Sequence, residues 1–279
     1  MKYKIIADSS CDLEKKDVQY DNIDFAVVPL TIHVDNKEFI DNNELVVEDM
    51  LKSMNSFKGK SSSSCPSPHS YYNELNGADK YFIITISAKL SSSNNSAQVA
   101  RNMCEFKDDV FIIDSKATSG ILILIIEKLI ALIKQNHQYT EICTEINKYV
   151  EEEIGLLFIL DKFDNLVKNG RVSRIKAFLA KNLFIKPICE AKDGEINMVK
   201  KAYGLARATI MLTTILETVV KSGNSKKCII SYCESLESAQ RVKAMIEKKN
   251  LFQDIRIIPM RGLNSFYALE KGIILGFEK

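Results

Sequence analysis

Residues 81–106 read YFIITISAKLSSSNNSAQVARNMCEF, and this stretch decides the fold class. An unbroken apolar run, Tyr81–Ile86, stops at a serine-rich turn ending in Ser91-Ser92-Ser93, and a helical pattern follows over Asn94–Phe106. A strand without polar alternation is buried on both faces, as in a parallel sheet covered by helices. The same order recurs on either side. Upstream, the apolar runs Tyr3–Ala7 and Phe25–Val34 precede helical stretches at Val46–Phe57 and His69–Asn76. Downstream, Val110–Ile113 leads into Ser115–Gln135, and Thr140–Glu153 follows. The first half therefore reads as an α/β/α domain built on a parallel sheet.

The pattern changes after about residue 153. Leu156–Leu160 reads as a strand, and Ile185–Glu190 and Glu195–Lys200 flank Asp193-Gly194, a hairpin signal because both turn positions accept positive φ. Strands are also expected at Lys227–Tyr232, Ile255–Pro259 and Gly272–Phe277. Between them, Leu212, Ile215, Leu216, Val219 and Val220 form one apolar helical stripe, and Ser235 caps a helix reaching Lys249. The expected fold class is α/β: a parallel-sheet domain over residues 1–153 and an α+β domain with a largely antiparallel sheet over 154–279.

The chain has 279 residues, 46% hydrophobic and 27% charged, which excludes a disordered or fibrous protein. Its 38 basic and 36 acidic residues leave a net charge of +2, so no basic surplus points to nucleic acid. The greasiest run, Gly120 to Ile133, is too short to span a bilayer, and Glu127 and Lys128 interrupt it. It is expected to be a buried helix, not a membrane insertion. Asp8 falls too early for a signal peptide. Seven scattered cysteines with no C-x-x-C suit free thiols in a reducing cytoplasm. Cys228 and Cys233 lie an odd number of positions apart on one expected strand, and the three histidines are scattered, so no metal site is expected.

Ligands of open parallel sheets sit beyond the carboxyl ends of the strands. Here those ends carry Asp8-Ser9-Ser10, Ser87 to Ser93 and Asp114-Ser115, while a separate loop, Ser61 to Pro68, opens a further helix. Hydroxyls beside helix N-termini hold anions. The glycine patterns of a P-loop or a dinucleotide fold do not occur in the first half, which favours a small anion such as a carboxylate. Asp8 and Asp114 read better as caps or anchors than as catalytic acids. A phosphotransfer or hydrolytic enzyme using Asp8, Asp114 or Cys65, with His69 nearby, is the alternative, and a regulatory binding module is a third reading.

The stretches IIADSSCDL (5–13), VVPLTIHVDNKEF (27–39), SSCPSP (63–68), ISAKLSSSNNSA (86–97), DSKATSG (114–120), KNGRVS (168–173) and IKPICEAKDGEI (185–196) occur in an order that resembles the DegV family of bacterial lipid-binding proteins. The resemblance implies a two-domain protein holding one long-chain fatty acid, such as palmitate, in a tunnel between its domains. It implies no catalytic activity and no cofactor, with a fatty acid kinase as partner in some bacteria. It places Ser63 and Ser93 on the carboxylate, beside Ser64 and Ser92, and matches Arg171 to the family's arginine. Ser92 stands for a family glycine, Asn169 for another, and Cys65 for a glutamine. The family's H-T-G-P-G-A stretch falls at Ala268 to Ile273, where its His and Pro are missing. Helix 115–135 is the expected supplier of tunnel wall as well as core.

Overall fold

A computed structural model describes residues 1–173, 184–220 and 226–279. The first sheet takes the order β2-β1-β6-β7, all parallel, from β1 (Tyr3–Asp8), β2 (Ile23–Val28), β6 (Lys80–Thr85) and β7 (Val110–Asp114). Its centre is apolar on both faces, with Ile5 paired to Phe25 on one side and Phe82 on the other. The second sheet takes the order β10-β9-β8-β13-β11-β12. Its strands are β8 (Ile154–Ile159), β9 (Ile185–Lys192), β10 (Glu195–Tyr203), β11 (Lys227–Tyr232), β12 (Asp254–Pro259) and β13 (Ile273–Glu278). All its neighbours are antiparallel except β11 and β12. The hairpin between β9 and β10 turns through Asp193 (φ 51°) and Gly194 (φ 79°), as the residue pair requires.

Two expectations are corrected. Phe25–Val34 is not one strand. Pro29 cannot donate to a ladder, and Leu30 N–H donates instead to Ser9 Oγ (3.0 Å). The chain therefore leaves the parallel sheet and starts β3 (Thr31–Val34) in a small antiparallel sheet of order β4-β3-β5. Nor is Ser61 to Pro68 simply a loop. Ser62–Ser64 forms β5 against β3, with β4 at Lys37–Ile40 on the other side. A run of serines has no apolar alternation, so nothing in it announces a strand.

The helices are α1 (Val47–Ser56), α2 (Pro68–Tyr72), α3 (Ser93–Asn102), α4 (Gly120–Lys134), α5 (Tyr139–Lys148), α6 (Asp164–Lys168), α7 (Leu205–Val219), α8 (Leu236–Glu247) and α9 (Gly262–Ala268). On α7, Leu212, Ile215 and Leu216 are buried with Val220 just beyond, whereas Val219 is exposed at the helix end. Ser235 stands at the start of α8, but its hydroxyl meets Ser238 Oγ (2.6 Å) rather than the helix backbone.

Helix α4 lies where the two sheets meet. Eleven of its residues are buried, and one apolar cluster runs from Ile5 and Phe82 through the helix to Leu156, Ile229 and Ile274. Its N-terminus touches β13 almost backbone to backbone. A Cβ on Gly276 would sit 2.7 Å from the Gly120 carbonyl carbon, and one on Gly120 would sit 2.8 Å from Ile229 Cβ. Glu127 interrupts the apolar run and forms ion pairs with Lys227 (2.7 Å) and Arg256 (2.5 Å).

Candidate functional site

A cavity of about 300 Å³ lies between the two sheets, at the lower end of the size of small-molecule sites, roughly 300–1,000 Å³. Leu30, Ile86 and Leu90 line it from the first half. Leu156, Phe158, Leu160, Leu166, Ala191, Ile196, Leu263 and Ile274 line it from the second. The expectation that α4 forms tunnel wall is corrected: no residue of Gly120–Lys134 lines the cavity, although Ala117 and Thr118, just before the helix, do. The helix packs against both sheets, and its buried residues serve the core.

The polar part of the wall contains Ser63, Ser64, Cys65, Ser91, Ser92, Thr118, Arg171, Asn264 and Tyr267. Their elements are tied together by hydrogen bonds. Ser63 Oγ lies 2.9 Å from the Tyr267 hydroxyl, joining β5 to α9. Asn169 Nδ2 donates to Ser61 O (3.1 Å), fastening the turn that carries Arg171 to the start of β5. Gly170 makes that turn with φ 72°, and Arg171 N donates back to Leu166 O (2.8 Å). Cys65 Sγ meets Ser96 Oγ at 3.9 Å, placing the end of β5 beside the first turns of α3.

Ser93 occupies a different place from the one expected. It is fully buried, it does not line the cavity, and its hydroxyl donates to Asp8 Oδ2 (2.6 Å). The Tyr71 hydroxyl lies 2.6 Å from Ser93 Oγ. Asp8 also accepts from Ile86 N (2.8 Å), Ser10 N and Ser10 Oγ, so it anchors α3 to the ends of β1 and β6. Burial raises the Asp8 carboxyl above its ordinary range, against the lowering effect of these donors. Asp114 is likewise an anchor, accepting from Ala88 N (3.1 Å) and Lys116 N (3.0 Å). The remaining sequence candidates Ser63, Ser64, Ser92 and Arg171 share the cavity wall. His69 is exposed, packs edge-on against Tyr72, and makes no bond to Cys65 among those described.

Sequence reasoning missed α9 and what holds it. Asp41, fully buried, accepts from Gly262 N (2.8 Å) and Leu263 N (2.9 Å). Asp12 accepts from Arg261 N (2.7 Å), Asn264 Nδ2 (2.9 Å) and Ser119 Oγ (2.5 Å). Burial pushes the Asp12 carboxyl up to about 7 despite its hydrogen-bond donors, and burial raises Asp41 as well. Ser119 adopts φ 58°, ψ −126°, a conformation that favours glycine, and its hydroxyl is also 2.7 Å from Ser231 Oγ on β11. Two carboxylates of the first half thus fix the helix that presents Leu263, Asn264, Tyr267 and Ala268 to the cavity. No sequence motif marks Tyr267; only the Ser91 to Ser93 run pointed at Ser91.

Residues 2–272 match the family model described as an uncharacterised protein of the DegV family. The chain belongs to the DegV family. A curated DegV domain-containing protein from Streptococcus gordonii is 37% identical over 284 residues, covering 100% of this chain and 99% of the relative. Among solved structures, the Streptococcus pneumoniae Fatty Acid Kinase (Fak) B3 protein loaded with linoleic acid is 35% identical with a TM-score of 0.93, covering 100% of this chain and 99% of that one. A DegV protein from Eubacterium eligens loaded with heptadecanoic acid is 30% identical with a TM-score of 0.89, covering 99% of each chain. A third, from Ruminococcus gnavus and refined with vaccenic acid, is 27% identical with a TM-score of 0.91, again covering 99% of each. The expected DegV fold, a parallel sheet joined to a mostly antiparallel one, is the fold observed.

Among the described residues no helix is long and apolar enough to cross a membrane, and no group of three or more His, Cys, Asp or Glu side chains is placed to hold a metal.

Proposed function

We propose that this protein binds one long-chain fatty acid in the cavity between its sheets, carboxylate toward the hydroxyl-lined wall, and presents it to a fatty acid kinase without catalysing a reaction of its own. The observation that carries this reading is the composition of the cavity wall. One wall offers hydroxyls and a guanidinium, and the rest is Leu, Ile, Phe and Ala drawn from both halves of the chain. Burying each methylene contributes about 0.8 kcal/mol, so an acyl tail supplies most of the affinity. A buried carboxylate without partners would cancel several kcal/mol of that gain, and hydrogen bonds to a charged acceptor return about 1.5–3 kcal/mol each. Ser63, Ser64, Ser92, Arg171 and Tyr267 are the proposed head-group contacts. Ser93 serves the site by holding the start of α3 through Asp8. Solved relatives of 27–35% identity that carry linoleic, heptadecanoic and vaccenic acids support the ligand class.

The units 1–153 and 154–279 are proposed to supply one side of the cavity each. Seven unpaired thiols support a cytoplasmic location. The test is native mass spectrometry of protein purified without lipid removal. A mass increment matching a C16 or C18 acid is expected, and uptake of added palmitate or oleate should follow delipidation. Absence of both would overturn the reading. The kinase step is tested separately, by following acyl phosphate formation from the loaded protein with ATP and a fatty acid kinase.

A further inference from the structure

The proposed acyl cavity shares part of its wall with a neighbouring cavity. Ala117, Leu156 and Ala191 line the first and also line the second, of about 350 Å³. Ile121, Ile154 and Phe277 give the second cavity apolar wall, and Lys116, Glu151 and Lys192 give it polar wall.

The pairing register shows why the partition is thin. Leu156 on β8 is the cross-strand partner of Ala191 on β9, and Ala191 is the partner of Ile196 on β10. Directly opposed residues project to the same face of a sheet, so these three form one row. Leu156 and Ile196 raise the two ends of the row, and the middle position has only a methyl group. Ala117, from the other half of the chain, is equally small. Its carbonyl accepts from Ser87 N (2.9 Å) and Ser115 Oγ (3.0 Å), which fixes its position.

Resting on the fatty-acid reading, we propose that Ala191, together with Ala117, sets the length of acyl chain this protein accepts. The two alanines leave a passage through which the methyl end of a chain too long for the first cavity enters the second. The ligand class is then extended to acids longer than the first cavity alone would favour. Each further buried methylene is worth roughly a fourfold gain in affinity, so a chain that passes the partition keeps gaining where a blocked one stops.

The experiment is a binding series of saturated acids from C12 to C22 on delipidated full-length protein, read by native mass spectrometry in competition. Wild-type affinity should keep rising to C20. In Ala191→Leu, and independently in Ala117→Leu, the ratio of C20 to C14 affinity should fall by about tenfold or more. Ala191→Val and Ala117→Val repeat the measurement with a smaller added volume should either leucine variant fail to melt cooperatively. Folded variants that keep the wild-type ratio would overturn the inference while leaving fatty acid binding in place. A wild-type protein that takes up no acid of any length would overturn both, and is a distinct result.

Discussion

Helix α4 and strand β5 stand at opposite ends of what a sequence advertises. The first is fifteen residues, GILILIIEKLIALIK, nearly all apolar. The second is three serines. The apolar helix is the shared core of the molecule and contributes nothing to the wall of the cavity that carries the hydroxyls, whereas two of the three serines line it. Hydrophobic burial is proportional to area and indifferent to detail, so it marks where a chain packs. A head group is held by a few directed donors, which carry little weight in any measure of hydrophobicity. The loudest part of a sequence is thus a guide to its core, and the quiet part to its site.

That contrast can be broken at the helix first. Gly276→Ala places a methyl within 2.7–2.8 Å of the α4 backbone at Gly120 and Ile121, where neither side can yield without separating the sheets. A loss of about 3 kcal/mol is expected from denaturant melts, with the midpoint falling and the slope unchanged. A neutral result would show that α4 and β13 are less tightly apposed than described.

The clamp between the end of the first strand and α9 comes next. Asp12 has a folded-state value near 7, above its ordinary value, so the native state keeps a proton that the unfolded chain loses. Its contribution therefore favours folding at low pH, declines as pH rises from about 4 to about 7, and is flat above. Asp8 and Asp41 are shifted in the same direction. Thermal melts between pH 4.5 and 8 should show wild-type stability falling across that window. Asp12→Asn should remove a share of the slope worth about 3 kcal/mol. An identical slope in the variant would place the linkage elsewhere.

Two serines sharpen the comparison further. Ser93→Ala leaves the buried Asp8 carboxylate and Tyr71 hydroxyl short of a partner, so it should cost about 2 kcal/mol of stability. Ser63→Ala, on the cavity wall, should instead weaken fatty acid binding by about 1.5 kcal/mol with a small change in melting temperature. Calorimetric melts beside a fatty acid titration separate the two. Reversed outcomes, with Ser93→Ala hitting affinity and Ser63→Ala hitting stability, would exchange their roles.

Most of the architecture was legible because period and length are local properties. Tyr81–Ile86 could only be a strand buried on both faces, Asp193-Gly194 could only turn, and Leu212, Ile215 and Leu216 could only face one way. The misreadings have equally definite causes. Pro29 interrupts Phe25–Val34, and an apolar run conceals where a chain changes sheets. Ser62–Ser64 is a strand only because β3 is there to pair with it. Ser63 and Ser93 look alike in sequence, each a serine in a serine run, and they differ in what lies across from them: Tyr267 and the cavity for one, Asp8 and Tyr71 for the other.

Composition class, the parallel half with its antiparallel successor, and the donor-rich turns can all be read along the chain, because each follows from neighbours within a few residues. Which hydroxyls meet the cavity, which carboxylates are sealed beneath α9, and where two alanines leave a wall thin were decided only by the tertiary structure. Those properties belong to pairs such as Ser63 and Tyr267 or Asp12 and Asn264, brought from distant parts of the chain, and no local pattern encodes a partner more than two hundred residues away.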